Sequence, residues 1–172
     1  MVEPEISYCD FNQNMDWMES LVTYIIDEVL KHCQSELNVL ERNIDKLEAV
    51  KSPFPRITYD EAVSILKQNN IEFTYGKDFG ASDETVISNQ YDSPVMIHSW
   101  PADTKAFYMK RDEINNDLAL GVDMIAPEGY GEIVGGGQRE DNIEILIETI
   151  RHHDLPLKPF EWYLDLRKYG SV

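Results

Sequence analysis

Met15, Met18, Leu21, Val22, Ile25, Ile26 and Val29 recur at steps of three and four, the spacing of one face of an α-helix. Asn14 or Asp16 caps this long helix, which runs to about His32. Ser35 to Glu48 is charged and also reads as helical, with Glu41, Asp45 and Lys46 on a solvated face. Pro53 and Pro55 then break the chain. Thr58 followed by Glu61 is a capping box for a helix over Tyr59–Gln68, whose Ala62, Ile65 and Leu66 point inward. Gly76 to Asp83 is a loop, and Ser82 or Asp83 opens another helix carrying Glu84, Val86 and Ile87. Asp141 or Asn142 caps Ile143–His152, where Ile143, Leu146, Ile147 and Ile150 form the apolar face. Asp154 and Pro156 end that helix. Pro159 opens the last one, with Phe160, Trp162, Tyr163, Leu166 and Tyr169 in it and Gly170 as its C′ residue.

Other stretches alternate with a period of two. Val2, Pro4, Ile6 and Tyr8 alternate with Glu3, Glu5 and Ser7, which predicts a strand with an irregularity at Pro4. Pro94 to Trp100 predicts a second strand, with Val95, Ile97 and Ser99 opposite Met96, His98 and Trp100. Ala106–Arg111 predicts a third, with Phe107 and Met109 on one face and Tyr108 on the other. Leu118, Leu120, Val122 and Met124 alternate with Ala119, Gly121, Asp123 and Ile125. A turn at Ala126-Pro127-Glu128-Gly129 follows, then a strand from Tyr130 to Val134 that runs into three glycines. This order of elements predicts an α+β fold with a mostly antiparallel sheet in a single domain.

The chemistry concentrates in Leu118–Arg139. Folding the hairpin between Pro127 and Glu128 places Asp123 directly opposite Glu132, and like charges facing across a strand pair are destabilising. A hard cation offsets that cost, since Mg²⁺ is typically held by one or two carboxylates plus substrate phosphates. Gly121 and Ala119 leave room on the same face for a ligand. The alternative is a solvated pair, or a register displaced by one. Gly135-Gly136-Gly137 marks a bulge or a close approach of backbone to ligand. One residue bulged out in this run brings Glu132 and Arg139 to the same face, giving an acidic pair and an Arg fork suited to a planar group such as a carboxylate. Nucleotide-binding glycine patterns do not fit. No Lys-Ser/Thr follows the glycines, and Val134 stands where a dinucleotide fingerprint after Gly129-x-Gly131 needs its third glycine.

A net charge of −17 argues against a free-standing nucleic-acid binder, which shows a basic face. With 42% hydrophobic residues the chain is able to build a core. Cys9 and Cys33 have no metal-type spacing and suggest a reducing compartment. No apolar run approaches a membrane span. His98, alone in its strand, reads as a structural histidine in preference to a functional one. Lys105 is placed either to counter a substrate charge or, more commonly for a lysine, at the surface.

Gly131-Glu132-Ile133-Val134-Gly135-Gly136-Gly137-Gln138-Arg139 resembles the substrate-site strand of class II aminoacyl-tRNA synthetases of the aspartate/asparagine group. Lys105-Ala106-Phe107-Tyr108-Met109, Arg56-Ile57-Thr58-Tyr59 and Trp162–Gly170 are similar to the asparaginyl branch, and the resemblance covers the whole chain. It implies the class II catalytic fold, incomplete at both ends because the ATP-binding Arg segments of motifs 2 and 3 are missing. It also implies a cytoplasmic enzyme, homodimeric in the parent family, that activates asparagine with ATP and Mg²⁺ and transfers it to tRNA. Asp123 and Glu132 are implied to hold ATP-bound Mg²⁺. Glu3 and Arg139 are implied to bind the amino-acid side chain, with the Gly135 backbone close to it. Gly137 departs from the Ser often found there. A fragment of this kind is expected to be inactive alone, and marginally stable with salt-promoted association through uncovered surfaces. Two other readings compete: an ammonia-dependent asparagine synthetase-like paralogue, and a non-catalytic remnant that binds a partner.

Overall fold

The computed structural model describes residues 1–170. Four strands form one sheet in the order β1-β2-β3-β4: β1 Arg56–Thr58, β2 Val95–Pro101, β3 Leu118–Ala126 and β4 Gly131–Gly137. β2–β3 and β3–β4 are antiparallel, and β1–β2 is parallel. β1 runs parallel because its connection to β2 is a crossover through two helices. The expected α+β class with a mostly antiparallel sheet is what the chain adopts.

Two predicted strands are absent. Val2–Tyr8 is irregular and exposed, and Ala106–Arg111 supplies only isolated bridges, Met109 to Arg139 and Arg111 to Ala119. Alternation marks a segment able to be a strand, but a ladder needs a partner. The Met109 N–H instead closes a turn onto the Ala106 carbonyl.

The helices cover the sheet on both faces. α1, Phe11–His32, lays Met15, Met18 and Val22 on Met96, Val122 and Met124, with Phe54 filling the edge. On the opposite face α4, Tyr59–Gln68, and α5, Ala81–Ser88, close over Ile97, Trp100 and Ile125. Trp100 reaches that face through a bulge. Ser99 has φ 56°, the strand register shifts between His98 and Trp100, and the indole turns to the side of Val95 and Ile97. Simple alternation had put Trp100 with Met96 and His98. Its Nε1–H donates to the Ile97 carbonyl at 2.9 Å, so the buried polar atom is satisfied.

Helix ends follow the caps. Thr58 and Glu61 form the expected capping box, and α4 spans the expected Tyr59–Gln68. α6, Ile143–His152, is capped by Asn142 as expected. α1 starts before either predicted cap, because Asp10 and Gln13 form a capping box and the Phe11 N–H donates to Gln138 Oε1 across the fold. α5 also starts early, at Ala81, since Asp83 acts from inside the helix by accepting the Gly80 N–H. Ser35–Glu48 divides into α2, Gln34–Val39, and α3, Ile44–Glu48, with Glu41 at φ 52° between them. α7, Glu161–Tyr169, ends at Gly170 with φ 107°, the left-handed conformation that glycine tolerates.

Candidate functional site

The β3–β4 hairpin sets the site. Asp123 pairs with Gly135, and Glu132 pairs with Ile125, so the two carboxylates are not direct cross-strand partners as predicted. The turn is longer than a fold between Pro127 and Glu128 requires: Glu128 and Gly129 both have positive φ, and pairing resumes only at Ala126–Gly131. A bulge then removes Ile133 from the ladder between Glu132 and Val134. It falls two residues before the glycine run, not inside it. Its consequence is the one anticipated, because Ile125 and Asp123 share a face and Glu132, opposite Ile125, joins them. Strand parity then keeps Gly135, Gly137 and Arg139 on that face too.

Gly135 lets the carboxylates converge. A Cβ there would overlap the Glu132 carboxylate oxygen and lie 3.7 Å from Asp123 Oδ1. Gly137 is equally constrained: a Cβ would come within 2.5 Å of the Leu120 carbonyl and 2.7 Å of Met109 Sδ. The glycine that departs from the related pattern therefore fits a gap its neighbours have closed.

Lys105 crosses this face and is not a surface lysine. Its side chain is 15% exposed, its ammonium is ion-paired with Asp123 Oδ2, and it lies 3.8 Å from the Trp100 ring centroid. Gly121 makes room for its stem, since a Cβ there would sit 3.3 Å from Lys105 Cγ. One ammonium does not balance the acids around it. Burial raises the Asp123 pKa despite the pull of Lys105. Desolvation raises Glu132, and Asp123 adds to it. Burial also raises Glu84 on α5, with Asp78 and Asp123 contributing. This surplus of negative charge around the buried Asp123 favours a further cation. Among the described residues no group of three or more His, Cys, Asp or Glu is arranged to hold one unaided. Two carboxylates suit Mg²⁺, which takes few protein ligands and completes its shell with water and phosphate.

Arg139 anchors the other end. Its Nη2 donates to Glu5 Oε1 at 2.6 Å, and its guanidinium lies 4.2 Å from the Tyr108 ring centroid. Burial opposes the Arg139 charge, but Glu5 outweighs it, and the pKa is raised overall. Glu3, expected beside Arg139, is exposed, and the acidic partner is Glu5. Both are exposed and only two residues apart, so spacing alone did not separate them. Asp78, Glu84, Tyr108 and Glu5 join the site without having been predicted there, and Lys105 takes the charge-countering place that was the less common of its two expected positions. Only Lys105 and Tyr108 carried a signal, through the Lys105–Met109 motif. His98 is half-buried, hydrogen-bonded to Ser99 Oγ at 2.8 Å and edge-on to Phe11, which is a structural role.

A family profile described as tRNA synthetases class II (D, K and N) matches residues 1–172. An asparagine–tRNA ligase of Sorangium cellulosum is 53% identical, over 99% of this chain and 41% of that protein. One from Desulforamulus reducens is 51% identical, over 100% of this chain and 40% of that protein. The crystal structure of asparaginyl-tRNA synthetase from Pyrococcus horikoshii complexed with asparaginyl-adenylate superposes with a TM-score of 0.92 at 41% identity, over 96% of this chain and 38% of that one. The chain thus spans about two fifths of the length of the curated relatives it matches.

Proposed function

The chain belongs to the class II tRNA synthetases (D, K and N), and from that we propose that it carries amino-acid and nucleotide subsites of an asparagine–tRNA ligase. The observation that carries this reading is the single face on which Asp123 and Glu132 converge over Gly135 while Arg139 meets Glu5. The reaction has two steps. The asparagine carboxylate attacks the α-phosphate of ATP, forming an adenylate and releasing pyrophosphate. A tRNA hydroxyl then displaces AMP. Neither step needs covalent chemistry from the protein, whose contribution is positioning and charge neutralisation.

Asp123 and Glu132 hold Mg²⁺, which when bound neutralises phosphate charge. The Gly135 backbone borders the amino acid. Arg139 donates to the side-chain carbonyl oxygen of asparagine, and an acidic residue of the Glu3–Glu5 segment accepts from its amide nitrogen. An aspartate would set a carboxylate against that acid and is disfavoured, because buried like charges repel strongly. Asparagine, ATP and tRNA are the partners in this reading, in a cytoplasmic homodimer. No helix among the described residues is long and apolar enough to cross a membrane.

Calorimetry with non-hydrolysable sulfamoyl analogues of the two adenylates tests this. The asparaginyl analogue binds this chain, at least tenfold tighter than the aspartyl one, and Arg139→Ala removes the difference. Equal affinities, no binding of either, or a preference that survives Arg139→Ala would overturn the reading.

A further inference from the structure

Lys105 is fixed too firmly to be a passive neighbour. Its stem lies on Gly121, its ammonium sits over Trp100, and its charge meets Asp123 Oδ2. Asp123 Oδ1 is left facing Gly135, the side on which Glu132 converges. We propose that Lys105 is a placeholder cation: its ammonium and a divalent ion are alternatives at Asp123, and the exchange takes place only when nucleotide phosphates arrive with the ion. This rests on the assignment of Asp123 and Glu132 as the cation ligands.

The charges explain the coupling. Asp123, Glu132, Glu84 and Asp78 outnumber Lys105, but a bare dication entering at Asp123 meets the ammonium at closest range and is repelled by it. Two carboxylates also leave most of an Mg²⁺ shell unfilled. Polyphosphate changes both terms. It supplies the missing oxygen ligands, and it offers the Lys105 ammonium a second anionic partner when it leaves Asp123. The stem suits such a move, because it rests on a glycine hydrogen and a ring face, along which a flexible four-carbon chain shifts without unpacking a core side chain. The positioning role of Lys105 is then to keep the acidic pocket neutral enough to stay folded while excluding free metal. Metal and nucleotide enter together.

The probe is Tb³⁺ alone, added to the nucleotide-free chain of 172 residues and read by tryptophan-sensitised emission. Trp100 borders the site, and Asp123→Asn identifies the part of the signal that belongs there. Lys105→Met binds roughly tenfold or more tightly than the unsubstituted chain, because a single positive charge has left the pocket. Lys105→Arg, which keeps the charge, stays weak. Inorganic tripolyphosphate raises the affinity of the unsubstituted chain and has less effect on Lys105→Met. An unchanged Lys105→Met affinity, or Lys105→Arg as tight as Lys105→Met, sinks the placeholder role. A Tb³⁺ signal that survives in Asp123→Asn sinks the ligand assignment instead. Should Lys105→Met fail to fold, amidination of the unsubstituted protein, mapped by mass spectrometry, decides the matter. Lys105 is then protected without metal and with Mn²⁺ alone, and loses protection when Mn²⁺ and tripolyphosphate are added together; protection that the pair leaves unchanged, or that Mn²⁺ alone removes, overturns the proposal.

Discussion

The two faces of β3 and β4 are made from alternate residues of the same two strands and do opposite work. Toward α1 the strands present Val122, Met124 and Val134, packed on Met15, Met18 and Val22. Toward the other side they present Gly121, Asp123, Gly135 and Gly137, with Glu132 leaning in. The first face gains stability by burying flexible apolar side chains, and Met suits the irregular space under a helix. The second packs at Ile125, under α4 and α5, and gives stability up over the rest: its glycines bring no packing, and its carboxylates crowd one another. A site that must bind charged ligands is thus laid on a strand pair anchored from behind. If the two faces differ in this way, substitutions should separate stability from binding according to the face they touch.

The largest effect is expected on the packed face. Met124 is fully buried, and Met124→Ala should cost about 2–5 kcal/mol in denaturant unfolding. Analogue affinity per folded molecule should stay unchanged. A loss of affinity equal to the loss of stability would erase the distinction between faces.

The glycine run gives the next contrast. Gly137→Ala meets the Leu120 carbonyl, a backbone atom with no freedom to retreat, and should cost about 1–3 kcal/mol. Gly136→Ala points toward α1 and meets the end of Met18, a flexible side chain that is able to turn aside. Its cost should be clearly smaller in the same titration. Gly135→Ala should be different again, with a modest change in melting temperature and a large loss of Tb³⁺ or Mg²⁺ binding, because the added methyl takes the place of the Glu132 carboxylate.

Glu132→Gln sharpens the comparison from the polar side. Removing one of several crowded acids should leave stability unchanged or raise it by a few tenths of a kcal/mol, the screening appropriate to an exposed side chain. Cation binding should fall at the same time. A variant both less stable and still able to bind the cation would contradict the account.

The smallest effect is the pH dependence. Asp123, Glu132 and Glu84 have raised folded pKa values, so their contribution is fully present below the unfolded pKa and is lost as pH rises through the folded one. Glu61 and Glu128 are lowered, Glu61 by the Thr58 backbone N–H and hydroxyl and Glu128 by Arg42, so theirs is present above the unfolded pKa and lost as pH falls through the folded one. The melting temperature should therefore rise as pH drops through the raised folded pKa values of the first group toward the ordinary carboxylate range, about 4, and fall as pH drops further through the lowered values of the second. Glu132→Gln should flatten the first limb and leave the second. A melting temperature that only declines from pH 8 downward would mean the acids on the open face are not crowded.

Local rules made much of this legible. The capping signals and apolar steps located α4 and α6 to the residue, and the alternation of Leu118–Ile125 located β3 to within one residue, because these signals need only neighbours in sequence. They fail where a distant group decides. Val2–Tyr8 alternates without a partner strand, and α1 begins at Phe11 because Gln138, more than a hundred residues away, accepts its N–H.

For the site, the sequence by itself determined the ingredients: Asp123, Glu132, three glycines and Arg139, in an order that already called for one bulge. The tertiary structure alone decided where the bulge falls, at Ile133, and that Asp123 faces Gly135. It decided that Lys105 leaves the surface for a place between Asp123 and Trp100, and that Glu5 takes the partner's place at Arg139 instead of Glu3. The physical reason is the range of the forces. Caps and apolar periodicity act over three or four residues, whereas buried charges are paired by whichever opposite charge the packed sheet brings within reach.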